Sequence, residues 1–359
     1  VSSAAGANVS RGNAVLNGGD LDIGSGAVLT GNEIQLDATG SFGLATDASL
    51  NADSLGLGAR RIALGTDSPE GDGVAITGDL LTQLGASRAV TLRSYSTIDL
   101  AQNFTLAPTT ATGAPTLERL VLDAPTLRSL GTADSDVRLR AQEVLLTNTT
   151  GRTASVAGTG RLSIEAATPA RADRSGGLEI GTGDQLLAFS DVTVRSQADV
   201  ILSGSGKLSA AGDLTIEAAR VTARSAAEKT VDAAGVLGIG VAQGSSTRGE
   251  QVGAGAQVSF VGQKIEQDGV LLFHSGALSL TSRGTDNSTG IRFGASSLTS
   301  VQGFSTKAGD EWVAYADAGR IDIDARSGGV RIDGVLNLAA LAGGGDGGRL
   351  SVRTQGDDD

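Results

Sequence analysis

The sequence predicts an all-β fold, a parallel β-helix. Three observations carry the prediction: a recurring short phrase, an aliphatic core vocabulary nearly free of aromatics, and dense glycine. The phrase is two apolar residues flanking one polar residue, followed by a charged or small residue. It occurs at Ile34/Leu36, Ile62/Leu64, Val90/Leu92, Leu120/Leu122, Val137/Leu139, Leu162/Ile164, Val192/Val194 and Leu214/Ile216. It continues at Leu237/Ile239, Val258/Phe260, Leu278/Leu280, Leu298, Ile321/Ile323 and Leu350/Val352. From first to last anchor the mean spacing is about 24 residues, inside the range of solenoid repeats.

Alternation with period 2 marks a strand with one buried face. Helical spacing fails the same test, because "RIDIDARSGGVRIDGVLNL" would put Ile321 and Ile323 on different helix faces. Further apolar pairs lie between the anchors, among them Leu21/Ile23, Val144/Leu146, Val200/Leu202 and Val330/Ile332. Two or three short strands per period, separated by Gly, Asn, Asp and Ser turns, describe one coil of a parallel β-helix. At about 24 residues per coil the chain makes roughly 15 coils, about 70 Å of rod at the usual strand spacing.

Composition agrees with thin, closely stacked layers. The hydrophobic fraction is 40% while aromatics are 3%, so the core is written in Val, Leu, Ile and Ala. The 53 glycines are about twice the usual share of about 7%. The expected organisation is a single β-helix segment over 1–359, with irregular, loop-bearing stretches near 226–255 and 303–319.

Charge and cysteine content exclude several function classes. A net charge of −12 disfavours nucleic acid and anionic membranes, which require clustered Lys and Arg. Lysine occurs only at Lys207, Lys229, Lys264 and Lys307, so 24 of the 28 basic residues are Arg. With no cysteine there is no disulfide framework, thiolate zinc site or cysteine nucleophile. No apolar run approaches membrane-spanning length. The chain opens at Val1 without a signal-like segment and contains no Met, so an internal fragment of a longer gene product is expected.

The residue after the second anchor should point outward from the same sheet in successive coils. From 123 onward it reads Asp123, Arg140, Glu165, Arg195, Glu217, alternating in sign. In a parallel stack such alternation makes a ladder rather than a column of repulsions. These five side chains are expected to form one exposed column.

The phrases "SAAGDLTIEAARVTARS" (209–225) and "GGVRIDGVLNLAALAGGGDGGRLSV" (328–352) resemble the repeats of the filamentous haemagglutinin family, large exoproteins of two-partner secretion in Gram-negative bacteria. The resemblance spans most of the chain, is densest from Leu162 to Val352, and rests on repeat style. It implies a right-handed parallel β-helix shaft, export through an outer-membrane pore partner, and a secreted or cell-surface location. The implied role is adhesion, aggregation or biofilm formation, with a host or neighbouring-cell receptor or glycan as target. The Asn-rich motifs of the family's secretion domain are missing, so a shaft segment is expected.

Residues that suggest chemistry are few. Parallel β-helices also house polysaccharide lyases and glycosidases, and the outward pairs Asp322/Asp324 and Asp20/Asp22 have the local spacing of paired carboxylates. Alternating polar faces produce such pairs by default. His274 is the only histidine and has no catalytic partner in a motif, so it reads as a surface or turn residue. "GGGDGG" (343–348) matches a calcium-binding turn only in part and only once, and "GIGVAQGSSTRG" lacks phosphate-loop spacing. No cofactor or metal site is expected. The stretch "GFSTKAGDEWVAYADAG" (303–319) departs most from the repeat and carries Trp312 and Tyr315, a contact surface for carbohydrate or protein, or a loop folded back on the rod. The reading is a non-enzymatic stalk or adhesin segment. A β-helical polysaccharide lyase or glycosidase and the delivery shaft of a contact-dependent toxin are the alternatives, and unpaired end coils favour end-to-end self-association.

Overall fold

The computed structural model describes residues 18–66, 73–101, 103–107, 114–152, 156, 158–167, 177–247, 253–284, 289–308, 311–326 and 328–355. Among the described residues the chain is all-β apart from one helix, Gly78–Ala86. Its strands fall into three long parallel sheets, two of 11 strands and one of 9. This architecture is consistent with a β-helix or solenoid.

The chain visits the sheets in rotation. Asp191–Ser196 belongs to the nine-stranded third sheet, Asp199–Leu202 to the first, Ser205–Ala210 to the second, and Asp213–Ala218 returns to the third. The alternation of the sequence sets the facing. In Asp213–Ala218 the buried residues are Leu214, Ile216 and Ala218, with Asp213, Thr215 and Glu217 pointing out. Successive rungs stack like on like: Leu162 pairs with Val192, Val192 with Leu214, and Leu214 with Leu237. The inner faces form one continuous core of Leu, Ile, Val and Ala. The few aromatics are used there too, with Phe189, Phe260, Phe273 and Phe293 fully buried.

Polar side chains fix the corners. Ser196 Oγ accepts from Ala198 N and donates to Asp199 O, turning the chain from third sheet to first. Ser94 Oγ does the same with Ser96 N and Thr97 O between first and second. Each hydroxyl satisfies backbone groups that the ladder leaves over at a bend.

Two structural findings revise the sequence reading. First, the anchors do not lie on one face. Leu120/Leu122 is on the first sheet, Val137/Leu139 through Leu237/Ile239 on the third, and Val258/Phe260, Leu278/Leu280, Ile321/Ile323 and Leu350/Val352 on the second, while Leu298 is again on the first. All three faces use the same phrase, so spacing along the chain does not report the face. Second, the helix was not anticipated. It buries Leu80 and Leu84, spaced one turn apart, and packs against Ser49–Ala59 and Phe104–Leu106. Gln83 Oε1 accepts from Leu50 N at 2.8 Å. Phe104–Leu106 is the end strand of the third sheet, so the helix covers an edge that would otherwise be open to pairing.

The irregular stretches also sharpen. Within the stretch 226–255 the structure carries strands Glu228–Ala233 and Val236–Val241; 242–256 follows before the next strand, and its residues 248–252 lie outside the described residues. There the first sheet receives no strand and closes over the gap, pairing Val221 directly with Leu271. A second gap lies between Glu143–Thr147 and Arg161–Ala166, where the second sheet pairs Leu127 directly with Leu187. Gln185 plugs this place: its buried Nε2 reaches the carbonyls of Leu122, Ala124 and Thr147.

Candidate functional site

The outer faces, not the core, are where this architecture can meet a partner. On the third sheet Arg140, Glu165, Arg195 and Glu217 occupy one register position on consecutive strands. Arg140 Nε lies 2.9 Å from Glu165 Oε2 and Arg195 Nη1 lies 3.7 Å from Glu217 Oε2. All four are half-buried. The column ends at Gly240, the next residue in register.

Asp123 does not belong to that column, which corrects the five-residue ladder. It sits on the first sheet between Arg93 and Thr147. It is 1% exposed and is held by Arg93 Nε at 2.8 Å and by the backbone and hydroxyl of Thr149. The phrases "LVLD" and "VRLR" are alike, but the chain turns through the second sheet between them.

The alternation principle itself recurs on every sheet. Asp99, fully buried, takes a two-pronged contact from its register partner Arg128 at 2.8 and 2.7 Å, with Arg61 nearby. Asp199 takes the same from Arg220 at 3.0 and 2.8 Å. Parallel in-register stacking brings identical positions together, so opposite charges on adjacent rungs are the arrangement that avoids repulsion.

The stretch 303–319 forms a hairpin, Phe304–Ala308 with Glu311–Ala316, the one antiparallel strand pair among the described residues. Trp312 is on its second strand opposite Lys307, and its side chain lies outside the described residues. Tyr315 pairs with Ser305 and is 36% exposed. Its ring lies against Gly343, where a Cβ would collide with it, and against Gly344, where a Cβ would be tight. The glycine run that matches a calcium-binding turn only in part is thus a seat for an aromatic ring. Trp312 and Tyr315 remain the aromatic candidates for a contact surface.

The carboxylate pairs are engaged in local structure. Asp322 faces Arg320 and Asp324 faces Arg326, each on the same or the adjoining stretch of chain. Hydrogen bonds from Ser41 hold the Asp20 carboxyl below its ordinary range. The other carboxyls that shift are Asp47, lowered by the Ser25 hydroxyl, and Glu266, lowered by Lys264. A glycosidase acid needs the opposite shift, upward. His274 is half-buried rather than at the surface, and its Nδ1 has no partner. Among the described residues no group of three or more His, Asp or Glu side chains is placed to hold a metal ion. No helix is long and apolar enough to cross a membrane.

Two open polar troughs run along the rod. One, of about 470 Å³ on the third sheet, is lined by Asp136, Arg138, Arg140, Arg161, Glu165 and Asp191. Its arginines are largely neutralised in place, Arg138 by Asp136 at 2.7 Å and Arg140 by Glu165. The other, of about 480 Å³ on the second sheet, includes Ser205, Lys207, Thr230, Ser259, Ser279 and Asp322.

Sequence reasoning missed Lys229. It stands two residues before Val231 in "AAEKTVDA", on the same inward side of the strand, and is 3% exposed. Its ammonium donates to the carbonyls of Gly181 and Ser205. Gly206, its register partner, has φ +125°, and a Cβ there would strike the Gly183 backbone. Burial pushes the Lys229 pKa down to about 8, opposed by Asp184. The signal available in the sequence was the pair of glycines at 183 and 206, which leave the column without side chains.

No family model, curated protein or solved structure matches this chain.

Proposed function

We propose that the chain is a structural segment of a secreted or cell-surface exoprotein, a right-handed parallel β-helix of about 24 residues per coil that acts as stalk and adhesive surface. The observation that carries this reading is the continuous parallel pairing on the third sheet from Phe104–Leu106 to Gly329–Ile332, with a register shift only at Thr289/Ile291 in the last pair. Such a ladder gives length and stiffness, and its projections offer weak, repeated contacts whose affinities combine. The hairpin with Trp312 and Tyr315 is the strongest candidate projection. Cysteine-free composition supports export through an outer-membrane pore partner. At the far end Leu350 and Val352 continue core columns yet are each 44% exposed, which supports end-to-end association of the isolated chain.

The test uses beads coated with the chain, offered to epithelial cells and to cells of a Gram-negative bacterium. Adhesion above that of albumin-coated beads, reduced when residues 304–316 are replaced by a short Gly-Ser turn, supports the reading. Failure to adhere, together with release of unsaturated or reducing ends from an acidic polysaccharide, would replace it with the carbohydrate-active alternative.

A further inference from the structure

His274 sits where both departures from the ladder meet. Its backbone forms a bridge with Ala254, at the end of the 242–256 excursion, and its carbonyl accepts from Gly255 N at 3.0 Å. The next residue, Ser275, has φ +50° and donates its N–H to Gln302 O, just before the hairpin. The imidazole itself packs on Phe304, the first hairpin residue, with ring centroids 5.8 Å apart. Nδ1 is buried and has no hydrogen-bond partner. This ring is therefore a side-chain contact that ties the first hairpin strand to the rod, as Tyr315 on Gly343 and Gly344 ties the second.

We propose that His274 is an acid-sensitive clasp: protonation of its imidazole releases hairpin 304–316 from the rod. Protonation puts an N–H on the buried, partnerless Nδ1 and a charge against the Phe304 ring in a half-buried place. Desolvation is the largest influence on the ring and lowers its pKa; the Gln302 backbone opposes this and Arg220 adds to it. Arg220, from the first sheet, is the cation that faces the ring, and it is itself bound to Asp199. Segment 253–256 is Gly-Ala-Gly-Ala and brings no charge. On the hairpin's first strand Lys307 is exposed.

The sign follows from linkage. A histidine whose folded pKa is depressed favours the docked state fully above about pH 6.5, and that preference is lost as pH falls through the folded value. Each unit of depression is worth about tenfold in the docking equilibrium. Carboxylates in model peptides titrate below about pH 5 and Lys229 near 8, so the window from 7 to 5 is the one to use for the single histidine.

The experiment is hydrogen exchange of the full chain at several pH values over that window, corrected for intrinsic exchange, with fluorescence of the sole tryptophan, Trp312, followed in parallel. Expected is an increase in opening of 304–316 that approaches about tenfold per unit of depression as pH falls, while the strand Arg320–Ala325 keeps its protection. In His274→Gln the hairpin should show no pH step. An equal step in that variant, or parallel loss of protection in Arg320–Ala325, overturns the proposal. A proton NMR titration of the one imidazole in the wild-type chain decides the matter if the variant does not fold: a midpoint at or above 6.5 also overturns it.

Discussion

Reversing the charge at Glu165 tests the register directly. Glu165 lies between Arg140 and Arg195 in the third-sheet column. Glu165→Lys would stack three cations at the strand spacing of about 4.8 Å, where one like-charge pair in bulk water costs about 0.9 kcal/mol. Two attractions become two repulsions, and exposed or half-exposed pairs measure about 0.2 to 1 kcal/mol each. The expected loss is therefore about 1 to 3 kcal/mol of urea stability at low ionic strength. Adding Arg140→Glu restores one opposite pair and should recover about half of it. In 1 M NaCl, where the screening length is about 3 Å, the difference should shrink severalfold. The reasoning fails if the double variant is no more stable than the single one, or if salt leaves the difference unchanged.

Other substitutions separate buried from surface electrostatics. Asp99→Ala strands the Arg128 and Arg61 guanidinium groups beside a buried site and should cost about 3 to 5 kcal/mol in chemical denaturation, well above any member of the third-sheet column. For Lys229 the native pKa near 8 lies below the ordinary 10.5, so the unfolded chain holds the proton longer. Stability should rise between pH 8 and 10.5, at up to about 1.4 kcal/mol per unit, and Lys229→Met should remove that slope in pH-dependent urea melts. Gly206→Ala meets both a positive φ and the Gly183 backbone and should lose about 1 to 3 kcal/mol, read as a lower urea midpoint.

The general architecture was legible because alternation and repeat length are local properties of the chain. Leu214 and Ile216 announce an inward face from the six residues around them, and the structure places them there. Which of three sheets a phrase joins is not local. Asp123 and Arg140 follow near-identical phrases, yet a full turn of strand and corner puts them on different sides of the rod. The helix was hidden for a different reason: nine residues containing Gly78 and Gly85 make a weak helix on propensity, and it forms because Leu80 and Leu84 find an uncovered sheet edge. Of the candidate surface, the departure of 303–319 from the repeat was visible, while its hairpin geometry and its seat on Gly343 and Gly344 depend on segments far along the chain. Lys229 went unnoticed although alternation with Val231 places it inward; that an ammonium is housed there depends on the glycines at 183 and 206, which come from other coils.

The two places where a sheet closes over an omitted strand have a practical meaning. Leu127 reaches Leu187 and Val221 reaches Leu271 as though the intervening chain were absent, so the hydrogen-bond ladder is indifferent to what departs between them. Lengthening such an excursion costs little more than loop closure, about 0.6 kcal/mol per doubling. Chain inserted between Thr150 and Gly158, clear of Thr149 and its hold on Asp123, or between Gly244 and Gly253, would thus be carried on a mast whose own stacking the guest peptide or small domain need not join.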